Sequence, residues 1–156
     1  MKSFQEIQTI ILEDDAYLTP LPIDEEVSSL SAILLNEEYY ELLKTGQIIV
    51  DGIPVLSPTC LIPFKMKAYL DLTMRKKNGE HVDSKNIKKH KNDVFRLAQV
   101  ITADTRQGVS AEILEDMKQF LGLVENDNVD LKTMGIKEIS YKTMIELLYR
   151  CYSIKQ

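Results

Sequence analysis

Apolar residues recur with a helical period through the middle of the chain. From Ser57 onward, Leu61, Ile62, Phe64, Ala68, Tyr69 and Leu72 fall on one broad face. Ser57 stands where an N-cap belongs, and Pro58 takes the first helical position, where a missing N–H costs nothing. Turning about 100° per residue puts Lys65 inside that apolar face, between Leu61, Tyr69 and Leu72, and directs Lys67 and Asp71 away from it. Asn78-Gly79 marks a turn within the loop Lys77–Asp83. A second helix is expected to start at Asp83 or Ser84, with Ile87, Val94, Phe95, Leu97, Ala98 and Ile101 inward. His90 and Lys91 share that inner face in its early turns.

Ahead of this pair the pattern is shorter and mixed. Phe4–Leu12 has strand character, Glu13-Asp14-Asp15 breaks it, and Tyr17–Ile23 with Pro20 and Pro22 reads as an extended edge. Glu25 and Glu26 read as solvated turn residues. Leu30–Leu35 is a short apolar run that fits an inner strand, or a helix beginning at Ser29. Asn36 is placed to cap a helix Glu37–Lys44 that stops at Gly46. Ile48–Val50 and Ile53–Leu56 flank Asp51-Gly52, a dipeptide suited to a two-residue hairpin turn.

Behind the pair the chain is again helical. Ser110 caps Ala111–Leu121, with Ile113, Leu114, Met117, Phe120 and Leu121 inward and Gly122 as terminator. Glu125–Asp130 is a polar connection, and Thr133–Ser140 has room for a turn of helix. Tyr141–Tyr152 carries a stripe of Met144, Ile145, Leu148 and Cys151. The expected architecture is a single α+β domain over residues 1–156. A small mixed sheet occupies the N-terminal third (1–56), and residues 57–156 form a helical part.

Composition narrows the class. The chain is 44% hydrophobic and 28% charged, which is enough to build a core and argues against disorder. No run of about 18 apolar residues supports a membrane span. MKSFQEIQTIILEDD lacks the small-residue cleavage site of a signal peptide. Cys60 and Cys151 lie far apart without metal-type spacing, so buried thiols in a reducing cytoplasm are expected. The net charge of −5 is unevenly spread: residues 75–96 hold 8 Lys/Arg against 3 Asp/Glu and both histidines. Such a basic island can bind phosphate groups or dock on the acidic remainder of the chain.

Candidate chemistry collects at that island. An ammonium group inside an apolar stripe must be paired, snorkel or meet a ligand. Lys65, His90 and Lys91 are therefore placed to line a basic recess between two packed helices, with a structural ion pair as the plainer account of Lys65. No phosphate-binding glycine loop, CxxC pair, HExxH or GxSxG occurs. The acidic pairs Asp14-Asp15, Asp24-Glu25 and Glu125/Asp127 lie in turn-like contexts, where solvated carboxylates are the default.

The order of segments from Ser28 to Leu97 resembles the C-terminal half of the AbiEii/AbiGii-like nucleotidyltransferase family, which includes toxins of abortive-infection systems. Ser29–Leu35 with Tyr39-Tyr40, then Gly52-Ile53 and Val55–Pro58, carry the likeness. Leu61-Ile62 with Lys65 and Ala68 looks like an LI-x-x-K-x-x-A helix. Lys89 and Asp93 with Leu97 look like a degenerate K-D-x-x-D helix, with His90 where Asp is usual. The resemblance implies that the Lys65 helix faces nucleotide phosphates and that Lys89 and Asp93 support that site.

Such enzymes hold Mg²⁺ and a nucleoside triphosphate through a Gly-Ser loop and an Asp-x-Asp strand, as in-line phosphoryl displacement requires. No Gly occurs before Gly46, and no catalytic or metal-ligating residue is assigned here. The expectation is a nucleotidyltransferase-like protein, catalytically incomplete unless an upstream segment completes it. Nucleotide or RNA phosphate at Lys65, His90 and Lys91 is one expected partner. A homodimer or partner chain on the N-terminal strand edge is the other.

Overall fold

The computed structural model describes residues 25–155, with side chains from Leu30 onward. Strand expectations for Phe4–Leu12 and Tyr17–Ile23 lie outside the described residues. The described chain runs α1 (Glu25–Leu34), α2 (Glu37–Thr45), β1 (Gln47–Val50), β2 (Ile53–Leu56), α3 (Pro58–Lys77), α4 (Ser84–Ala98) and α5 (Ala111–Val124). A 3₁₀ turn (Leu131–Met134) and α6 (Tyr141–Cys151) follow. The α+β class holds, with the described sheet a single antiparallel hairpin rather than a mixed sheet.

Three local expectations are corrected. Of the two readings of Leu30–Leu35 the helix holds and the strand does not. Helix α1 begins at Glu25 rather than Ser29, so Glu25 and Glu26 are helical and not turn residues, and it packs on α3. Its apolar run satisfies a helix as well as a strand, and the neighbouring helix decides between them. Gly122 does not end α5, which continues to Val124. Val124 is fully buried beside Phe120 and Leu121, and that burial outweighs the roughly 1 kcal/mol a mid-helix glycine costs. The third concerns α3, expected to bury a single stripe.

Helix α3 is instead the hub of the molecule. It packs against α4, α5, α1 and α2. Cys60, Ile62, Pro63, Phe64, Met66, Ala68, Leu70 and Leu72 are all buried, so apolar residues surround the axis. Tyr39 of α2 sets its ring edge-on against Phe64 at 5.3 Å, and Phe120 of α5 meets Tyr69 at 5.1 Å. Gly46, between α2 and β1, lies so close to α3 that a Cβ there would sit 2.6 Å from Cys60 Cβ.

Pro63 interrupts the bonding of α3 near its start. A proline has no N–H to give the carbonyl four residues earlier, which belongs to Thr59. The Tyr152 hydroxyl, just past α6, donates to that carbonyl. Thr59 Oγ1 donates to Gln107 Oε1 at 2.8 Å, and the Gln107 N–H donates to the Cys151 carbonyl at 2.9 Å. The gap left by Pro63 thus anchors the end of α6 and the loop before α5.

Caps follow the sequence closely. Asn36 Oδ1 accepts from the N–H groups of Glu38 and Tyr39, Asp83 Oδ1 from Lys85, and Ser140 Oγ from Thr143. Ser57 occupies the N-cap position of α3 in extended geometry, without a side-chain cap bond. In the hairpin, Asp51 at φ 50° and Gly52 at φ 77° form the turn with both central residues left-handed. None of the described helices is long and apolar enough to cross a membrane.

Candidate functional site

Two ionic seams run along α3, one on each side. Residues 65 and 67 are two positions apart, so their side chains leave the helix about 200° apart. Lys65 reaches α4, where its Nζ lies 3.0 Å from Asp93 Oδ2. Lys67 reaches α5, where its Nζ lies 3.1 Å from Asp116 Oδ1. The side chains of all four are a quarter exposed or less.

In the α3–α4 seam, Asp93 is shared, for Arg96 Nη1 also lies 3.2 Å from its Oδ1. One carboxylate between two cations leaves the group with a single net positive charge at the half-open edge of the seam. Lys91 follows a different direction. Standing two positions before Asp93, it leaves α4 on the other side and meets Asp127 Oδ2 at 2.8 Å, in the connection after α5. The structure therefore brings Lys65 together with Asp93, and Lys91 with Asp127. The two lysines expected to share a recess each meet a carboxylate of their own. His90 is buried on α4, and Lys89 is exposed on the same helix.

The basic island docks partly on itself and partly on the acidic chain beyond. Arg75 Nε lies 2.7 Å from Glu80 Oε2, and Lys76 bonds Ser84 Oγ across the α3–α4 loop. Lys91 crosses to the acidic remainder. Exposed pairs of this kind contribute little individually, so they orient the loop more than they hold the fold.

The α3–α5 seam is the part that sequence reasoning missed. Lys67 and Asp71 were expected to face solvent, but the helical hub has no wholly solvent-facing side there. Asp116 Oδ2 accepts from the Tyr39 hydroxyl at 2.9 Å, and Lys67 lies 3.8 Å from Asp71 Oδ1. Burial raises the Asp71 carboxyl above its ordinary range; Lys67 opposes this and the neighbouring Asp116 adds to it. Burial, then the negative Asp116, pushes the Tyr39 phenol far upward, so it stays protonated and donates to Asp116. Asn36 Nδ2 donates to Glu112 Oε1, tying the cap of α2 to the same face of α5. A usable signal was present: Asp116 stands three residues after Ile113 and four before Phe120, on the buried face of α5.

Among the described residues, no three His, Cys, Asp or Glu side chains come together in a way that would hold a metal ion. Asp71 and Asp116 share Lys67, whose ammonium group offsets one of their two negative charges and takes the place a cation would have.

A third feature stands apart from the helices. Register pairs Ile48 with Val55 and Val50 with Ile53, so these four branched side chains share one face of the hairpin. They are 45%, 38%, 48% and 62% exposed, and Ile49 on the opposite face is 69% exposed. Among the described residues, Leu56 of the hairpin packs against the helical core.

No protein-family model, curated protein or solved structure matches the chain.

Proposed function

We propose that the chain is a non-catalytic interaction module, in which the helices form a scaffold and hairpin β1–β2 is the contact element. The observation that carries this reading is the hairpin's apolar surface, set outside the core and bearing no charge between Gln47 and Val50. Isolated two-stranded hairpins are marginal in water, so branched aliphatic residues on both faces call for a covering partner. Replacing residues 48–55 by a Gly/Ser loop is expected to leave helical content intact and the melting temperature within about 3 °C. Loss of the folded body would make the hairpin a structural element and overturn the reading. So would transfer of label from a nucleoside triphosphate with Mg²⁺ to RNA or protein.

A second reading keeps the nucleotidyltransferase-like resemblance, with nucleotide or RNA phosphate binding at the α3–α4 seam. It is favoured by the net positive charge of the Lys65–Asp93–Arg96 group. Calorimetry with ATP, CTP, GTP and UTP plus Mg²⁺ tests it. Heat that disappears in Lys65→Ala supports this reading, and no heat at millimolar nucleotide removes it.

A further inference from the structure

We infer that β1 is the seam of a symmetric dimer, paired antiparallel with β1 of a second copy of this chain. The inference rests on the hairpin being a contact element and goes on to name its partner. The argument begins at the turn. Asp51-Gly52 is a two-residue turn, so Val50 and Ile53 exchange main-chain hydrogen bonds, and the bonded pairs alternate from there. Ile48 and Val55 are the next bonded pair. The Ser57 N–H donating to the Gly46 carbonyl at 3.0 Å continues the alternation.

It follows that the main-chain groups of Ile49 and Gln47 point outward from β1, and those of Pro54 and Leu56 outward from β2. Pro54 has no N–H, so the outer edge of β2 lacks a donor at its centre. The outer edge of β1 has its full set of donors and acceptors. Among the described residues no third strand joins the hairpin, so it has one edge ready to pair and one edge blunted.

That asymmetry selects the occupant. Edges that must stay single usually carry lysine, another charge, or proline; β1 reads Gln-Ile-Ile-Val and carries none of them. Two copies of β1 meet without like charges facing, because an antiparallel arrangement sends the two Asp51 carboxylates to opposite ends. Centred on Ile48, the pairing lets Gln47 of each copy bond Ile49 of the other. Ile48 then faces its own counterpart, and the aliphatic faces of both hairpins merge on one side of a four-stranded sheet. The new outer edges are both β2, each blunted by Pro54, so assembly closes at the dimer instead of continuing as a fibre.

Sedimentation of the full chain from about 1 µM to about 200 µM tests this, with the dimer expected at the upper end. Ile48→Lys places two ammonium groups opposite each other and should raise the dissociation constant at least about tenfold, with helical content unchanged. Mixing Ile48→Lys with Ile48→Glu should restore a mixed dimer. Ile48→Cys should oxidise to a covalent dimer, because directly opposed residues of a non-bonded pair lie about 4.5 Å apart at Cα, within disulfide reach. Pro54→Val should give species larger than a dimer. A monomer throughout the range, or a dimer indifferent to Ile48→Lys, overturns the inference. A monomer whose folded body tolerates the 48–55 replacement removes the second copy and leaves the contact-element reading standing.

Discussion

The same residue types do opposite things in the helical body and in the hairpin. Ile62 and Val94 are completely buried, whereas Ile53 and Ile49 are more than half exposed. In the body, aliphatic side chains hold the helices together, and Lys65, Lys67 and Asp116 enter the seams with partners assigned. In the hairpin, the strands make their main-chain bonds to each other and leave most of their side chains outside the core. Hydrophobicity alone does not state what a residue holds; the neighbouring element does.

The largest expected break in this contrast is Phe95→Ala. Phe95 is fully buried on α4 and packs against Tyr141 at 5.1 Å, so truncation should cost about 3–5 kcal/mol in urea unfolding. A loss under about 1 kcal/mol would mean that the body is packed as loosely as the hairpin. Next comes Tyr152→Phe, which strips the Thr59 carbonyl of its donor and should cost about 1–3 kcal/mol. In a Pro63→Ala background the helix supplies its own N–H, and the same change should cost less. Equal costs in both backgrounds would disprove the coupling.

Ile49→Thr, on the exposed strand, should change stability by no more than about 0.5 kcal/mol at low protein concentration. A core-sized penalty there would erase the distinction between the two regions. The finest distinction is electrostatic. Burial raises the Asp71 carboxyl, so the folded state holds its proton more firmly than the unfolded chain. The stabilisation from that proton is complete below the ordinary aspartate value, about 4, and is lost as pH rises through the raised value. Asp71→Asn should therefore gain on the native chain in melts between pH 3 and pH 7, expressed as a relative shift of midpoint. A gain in the opposite direction would place Asp71 in a net favourable pair.

Much of the local structure was legible from residues whose roles are short-ranged. Asn36, Asp83, Ser110 and Ser140 cap the helices they precede, and Asp51-Gly52 turns the hairpin, because these signals act within a few residues. The helix wheel failed for α3 because it assumes one buried side, and a helix enclosed by four others has no solvent side to assign. That is why Lys67 and Asp71 were placed outward, and why Lys65 and Lys91 were placed together. Periodicity finds the turn a residue occupies, but the partner across the seam is a tertiary fact. Asp93 as support for Lys65 was named from family resemblance and not from spacing. Asp116 needed the packing of α5 to be known. The exposure of the hairpin was invisible for a similar reason: alternating aliphatic residues read as core whether or not anything covers them.

The bond from Tyr152 to the Thr59 carbonyl carries a consequence for synthesis. The central helix is made first, but its main-chain accounting closes only when a residue 93 positions beyond Thr59 has been added. Until then water must occupy the vacancy beside Pro63. The order in which this helix is finished is therefore written into a proline, with an earlier-made segment completed by a later-made residue.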